Sequence, residues 1–214
     1  NGGLGENPLP TPNFLIETLK NNAEKKEYSK ISGSEIFREA IFSKYSENFT
    51  NTIVGNGLKE LIFCLIFCWK GKIFLPVPCW VTYLEDMKIL KKEYHTIPTK
   101  FENNYKLIPN DLEKEILDKN GQNGLFFLNN PNNPLGIVYS ETELENLSVV
   151  FKRYNITVFS DEIYFNTSQV KTTSLSNIYS KCIIGSSLSK DWASGGWRFG
   201  WMIFSEEINL LSKM

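Results

Sequence analysis

The sequence predicts an α/β domain: a mostly parallel sheet covered by helices on both faces, a three-layer sandwich. Three observations carry that expectation. Short apolar runs of strand length alternate with helical patterns from Thr52 to Phe204. The run Cys182-Ile183-Ile184 is continuously apolar and reads as a buried strand. Helix starts are well signalled, by Pro109 ahead of an acidic first turn and by the capping box Ser140-x-x-Glu143.

The elements follow in order. Asn1 to Thr11 (NGGLGENPLPT) is rich in Gly, Pro and Asn and reads as an irregular arm. Phe14 to Glu27 has a modest helical pattern, so residues 1–27 are expected to form an arm and helix, and 28–214 the main domain. Tyr28 lies in a polar turn. Gly33-Ser34 then opens an amphipathic helix with apolar face Ile36, Phe37, Ala40, Ile41 and Tyr45. Thr52 to Gly55 predicts a strand, and Gly57 to Trp69 a helix apolar all round and therefore buried. Strands are expected at 72–75, 93–97, 125–128, 156–160, 181–185 and 199–204, and helices at 80–90, 109–118 and 140–153.

Composition bounds the function. A chain of 214 residues with 42% hydrophobic residues and 14% aromatics can bury a real core. A net charge of −1 gives no pull towards nucleic acid or an anionic membrane. The longest apolar run, Leu61 to Trp69, is too short to span a bilayer, and no signal peptide precedes the first residues. The four cysteines form no CxxC pair; Cys64 and Cys68, four apart on one helix, read as core packing. With His95 as the one histidine, no His-rich metal site is expected, and the expected compartment is the reducing cytoplasm.

In a parallel sheet, ligands bind beyond the carboxyl ends of the strands. Asn56-Gly57, Trp80, Asn133, Asp161 and Lys190 each follow a predicted strand, so all should meet at one edge. Lys190 sits among Ser187, Ser189 and Asp191, with Arg198 eight residues on. Desolvation there disfavours an ammonium, and a neutral amine attacks aldehydes. Arg198 suits a phosphate. A phosphorylated aldehyde that requires a lysine is pyridoxal 5′-phosphate, PLP. A Ser-x-Ser-Lys run also fits an exposed turn. Asp161 could hold a protonated pyridine nitrogen, or merely cap a helix. In NNPNNPLG the prolines and Gly136 could aim the Asn133 amide at a ligand, or form a plain turn. Gly55-Asn56-Gly57 precedes a helix and suits a phosphate, although Glu60 occupies the third-glycine position of a dinucleotide fingerprint. Trp80 could stack on a heterocycle or belong to the core.

The segments EYSKISG, IVGNGLKEL, PVPCWVTY, NNPNNPLG, VFSDEIY and SSLSKDWASGGWRFGW occur in this order across nearly the whole chain. Together they resemble the class I/II aminotransferases, the fold type I PLP enzymes related to aspartate aminotransferase. The resemblance implies the large PLP-binding domain of such an enzyme. It assigns Lys190 to the cofactor's aldehyde and then to proton transfer at the substrate's α-carbon. It pairs Asp161 with the pyridine nitrogen, sets Asn133 and Tyr164 on the phenolic oxygen and stacks Trp80 on the ring. Ser187, Arg198 and the amides of Asn56 and Gly57 would hold the phosphate. Tyr28 matches a tyrosine reaching the neighbouring subunit's phosphate, implying a homodimer, and Gly5 would line the substrate pocket with Trp80 and Asn133.

Two departures stand out. Leu135 replaces a usual Thr or Ser that braces the asparagine loop, and the chain ends at Met214 without the family's C-terminal small domain and its carboxylate-binding arginine. The implied reaction moves an amino group between an α-amino acid and a 2-oxo acid, of aspartate or aromatic type. A PLP-dependent C–S lyase or an aminocyclopropane-carboxylate-synthase-like elimination is the alternative. A non-catalytic phosphate-binding or protein-interaction domain accounts less well for Lys190, Asp161 and Arg198 together.

Overall fold

The computed structural model describes residues 5–44 and 49–208. Among the described residues, seven strands form one sheet: β1 (Phe49–Asn56), β2 (Ile73–Val77), β3 (Tyr94–Pro98), β4 (Leu125–Asn129), β5 (Thr157–Asp161), β6 (Cys182–Ser187) and β7 (Phe199–Ser205). Their order is β1-β7-β6-β5-β4-β2-β3. β2, β3, β4, β5 and β6 pair in parallel, whereas β7 is antiparallel to both β1 and β6. β1 therefore runs with the parallel set, and only β7 is reversed. One edge of the sheet thus collects six carboxyl ends and the amino end of β7. Register brings the key positions level there: Asn129 beside Asp161, Asp161 beside Gly185, Ser187 beside Gly200 and Asn56 beside Phe199.

Helices cover both faces. β4, β5 and β6 are buried along their whole length, because successive side chains enter opposite cores. Leu125, Phe127, Phe159 and Ile183 pack with α3 (Leu58–Cys68) and α4 (Val81–Ile89). Phe126, Leu128, Val158 and Ile184 face α5 (Pro109–Asp118) and α6 (Glu141–Arg153) on the other side. α6 begins with the predicted capping box, formed in both directions between Ser140 and Glu143. No helix among the described residues is long and apolar enough to cross a membrane.

Several expectations need correction. The first helix, α1 (Asn13–Asn22), buries no residue and ends five residues before Glu27, because the charged stretch after Ala23 offers nothing to pack. In α2 (Glu35–Phe42), Ile41 is buried and Phe37 packs on Phe199 and Trp201, but Ile36 is 81% exposed. Tyr45, placed on the same apolar face, lies outside the described residues. α3 buries Leu58, Leu61, Ile62, Leu65 and Ile66 but leaves Phe63 and Phe67 exposed, so it is buried on one face only. Cys64 and Cys68 are accordingly half-buried.

Candidate active site

A cavity of about 770 Å³ opens at this edge of the sheet and is lined by Gly5, Trp80, Asn133, Asp161, Tyr164, Ser187, Lys190 and Arg198, among others. Lys190 is half-buried in the short helix α7 (Leu188–Asp191), directly after β6. The Ser187 hydroxyl accepts from the Ser189 N–H at 3.1 Å and caps that turn. Lys190 Nζ donates to the Gly5 carbonyl at 2.8 Å and lies 5.8 Å from the centre of the Tyr164 ring. The N-terminal arm is tied to the same segment. Asn7 Nδ2 donates to the Lys190 carbonyl at 2.8 Å, the Thr11 hydroxyl donates to the Ala193 carbonyl at 2.7 Å, and Phe14 meets Trp192 edge-on.

Asp161 ends β5 and is 3% exposed. Burial pushes its carboxyl up to about 6, against hydrogen bonds from Tyr83 and from the Ile163 N–H that favour the ionised form. The Tyr83 hydroxyl donates to Oδ2, and the Ile163 N–H donates to Oδ1 at 3.1 Å. Asn129 supports this wall: its Nδ2 donates to the Asp161 carbonyl at 3.0 Å, and its Oδ1 accepts from the Asn133 N–H at 2.6 Å. Asn133 Nδ2 stands 3.5 Å from Tyr164 Oη. The loop around Leu135 is braced by asparagines where the family pattern has a hydroxyl. Asn132 Oδ1 accepts from the Leu135 N–H at 3.1 Å, and Asn130 Oδ1 from the Tyr139 N–H at 3.0 Å.

The amino end of β7 brings Arg198 against β1. Its Nη2 donates to the Asn56 carbonyl at 3.1 Å and its Nη1 to the Gly195 carbonyl at 2.8 Å. Gly57, at φ +83°, leaves the room this guanidinium occupies. The Asn56 N–H donates to Glu60 and the Gly57 N–H to the Gly55 carbonyl, so both of these amides are engaged within the chain. Arg198 and Ser187 are among the donor-bearing side chains that line the cavity here. Trp80 is half-buried on the cavity wall, edge-on to Tyr83 at 5.3 Å. Tyr28 is fully exposed and does not line this cavity.

The edge therefore gathers an amine, a buried acid, a guanidinium, an indole and an amide. Reading strand ends alone missed Tyr83 and Asn129. Tyr83 sits one helical turn after Trp80 and so shares its face, which is the signal that could have found it. Asn129 is the last residue of its strand and level with Asp161, a relationship only the sheet register reveals. Arg198 reaches this edge because β7 is reversed.

A mostly parallel α/β sheet with this cavity at its strand ends is the arrangement of a ligand-binding α/β domain. The chain belongs to the family of class I and II aminotransferases, whose family model matches residues 3–214. It is 28% identical to a probable aspartate aminotransferase of Methanocaldococcus jannaschii, over 98% of this chain and 58% of that protein. It is 29% identical to a probable aspartate/prephenate aminotransferase of Rickettsia felis, over 96% of this chain and 54% of that protein. The fold matches that of Thermus thermophilus aspartate aminotransferase with maleate at a TM-score of 0.86 and 24% identity, covering 95% of this chain and 56% of the other. The chain thus spans little more than half the length of these relatives.

Class I and II aminotransferases depend on PLP. The side chains present fit that group. A buried carboxylate on the cavity wall, a lysine amine, and a guanidinium seated on a glycine are the partners a phosphorylated pyridine aldehyde calls for.

Proposed function

We propose that the protein transfers an amino group between an α-amino acid and a 2-oxo acid, with PLP held in this cavity. The observation that carries the reading is that Lys190, Asp161 and Arg198 line one cavity at the strand ends. Aspartate or an aromatic amino acid is the proposed donor; the relatives' names, aspartate and aspartate/prephenate aminotransferase, support aspartate.

Bound PLP supplies an electron sink for the pair of electrons left when the substrate's α-carbon loses a proton. This chain's residues bind, orient and move protons around it. The Lys190 amine would hold the cofactor's aldehyde, and its Nζ would move the proton at the substrate's α-carbon. Asp161, ionised near neutrality, holds a proton on the ring nitrogen. Asn133 and Tyr164 orient the phenolic oxygen, and Trp80 covers a ring face. Ser187 and Arg198 bind the phosphate, with Asn56 and Gly57 shaping the cradle around the guanidinium. Gly5 leaves room beside Lys190 Nζ for substrate; a Cβ there would stand 3.4 Å from it. A homodimer in the cytoplasm completes the reading, with Tyr28 of the partner subunit contributing to the phosphate site.

The test is product analysis of the full-length protein with PLP. Aspartate or an aromatic amino acid with a 2-oxo acid should give the amino acid corresponding to that acceptor. Pyruvate, free ammonia and the released thiol from a cysteine conjugate would instead mark a lyase.

A further inference from the structure

Tyr83 belongs to no role assigned above, yet it makes the one side-chain hydrogen bond given to Asp161 among the described residues. It is 2% exposed and held from two sides, edge-on to Trp80 at 5.3 Å and to Phe127 at 5.2 Å. A buried phenol with no partner would be unfavourable, and so would a buried carboxylate. Here each satisfies the other. The Tyr83 ring packs edge-on against Trp80 and Phe127 while its hydroxyl donates to Oδ2.

We propose that Tyr83 is a positioning residue acting through Asp161: its hydroxyl proton fixes Oδ2 and holds the acid in its ionised form. Because Trp80 is the N-cap residue of α4 and Tyr83 lies in its first turn, the start of one helix then carries both the ring-covering indole and the group that secures the acid. The other titratable groups facing this pair are Cys79 beside α4, Glu162 next in the chain, and Tyr164 after β5, with Lys190 on the opposite wall of the cavity. Only Tyr83 among them donates a hydrogen bond to the carboxylate. The consequence for cofactor binding rests on the function proposed above, whereas the effect on Asp161 itself does not.

The experiment follows the Asp161 carboxyl by carbon NMR in the full-length protein freed of cofactor, labelled at aspartate and titrated with pH. Asp161→Asn identifies the resonance. Removing a hydrogen bond to the charged form should raise the Asp161 midpoint in Tyr83→Phe by roughly one to two pH units. Replacing Tyr83 with 3-fluorotyrosine keeps the ring packing, sharpens the donor and should lower the midpoint. PLP affinity supplies the second readout. The phenylalanine variant should bind about tenfold more weakly at neutral pH, with the gap closing as pH rises and Asp161 ionises in both proteins. A midpoint unmoved by either substitution would overturn the proposal, and so would an affinity loss equal at every pH. Failure of both wild type and variant to bind PLP would instead contradict the proposed function, leaving the carboxyl titration to decide the role of Tyr83.

Discussion

Gly57 lies so close against Arg198 that a Cβ built on it would stand 2.1 Å from Nη2 and 2.7 Å from Cζ of the guanidinium. No rotation of the new methyl can relieve that contact, so the guanidinium must shift from this position. Position 57 also sits at φ +83° and ψ 160°, which costs an L-residue about 1–3 kcal/mol. Gly57→Ala should therefore lower the melting temperature modestly and weaken PLP binding about as much as Arg198→Ala does. Charge-assisted hydrogen bonds of ~1.5–3 kcal/mol translate to roughly ten- to a hundredfold in affinity. Equilibrium titration of the full-length variants with PLP checks this. An alanine variant that binds like wild type would show that the guanidinium does not hold the phosphate.

Glu162 gives a pH prediction with a definite sign. It is 4% exposed and accepts from the Ser160 hydroxyl at 3.0 Å, the Ser174 hydroxyl at 2.9 Å and the Leu175 N–H at 3.1 Å. Burial, outweighing those bonds, pushes its carboxyl from 4.5 to about 7. A raised folded-state value means the folded protein holds the proton more tightly than the unfolded chain. That contribution is complete below pH 4.5 and is lost as pH rises through about 7. Glu162→Gln keeps an acceptor but cannot ionise. Its stability relative to wild type should therefore grow between pH 5 and pH 8, by an amount on the order of 3 kcal/mol. Urea unfolding of both proteins across that range measures it; parallel curves would refute the assignment.

Ser140→Ala removes one half of the capping box of α6, a helix that buries Leu144, Leu147, Val150 and Phe151. The expected cost is about 1 kcal/mol, or about 2–4 °C in melting temperature for a domain of this size. The ion pair between Glu85 and Lys88 has both side chains more than half exposed. Lys88→Ala should leave the melting temperature where it is. Calorimetry on the two variants compares a satisfied cap with a solvated pair directly.

Much of the architecture was legible because it depends on local pattern. Pro109–Asp118 forms the helix that its N-terminal proline and spacing predict, and Ser140 with Glu143 forms the predicted box. Strand exits found Trp80, Asn133, Asp161 and Lys190, which all line the cavity. What was not legible depends on pairing between distant segments. The reversal of β7 is set by hydrogen bonding to β1 and β6, and that alone explains why Arg198, at the start of a strand, reaches an edge built from strand ends. Tyr83 and Asn129 owe their importance to register and burial around Asp161, which no residue pattern near them reports. α3 looked buried all round because Phe63 and Phe67 are apolar, yet both face outwards. Hydrophobicity alone does not say whether a neighbour exists to cover a given face.

The central claim is that the Lys190 amine takes up the cofactor in a cavity that also presents Asp161 and Arg198. The most direct measurement is the visible absorption spectrum of the full-length protein purified with PLP, beside Lys190→Ala and Lys190→Arg. The wild-type protein should be yellow and change colour when an amino acid donor is added, while both variants should lack that lysine-dependent band. A band of unchanged position and intensity in Lys190→Ala would mean that another amine carries the cofactor and that this account of the cavity is wrong.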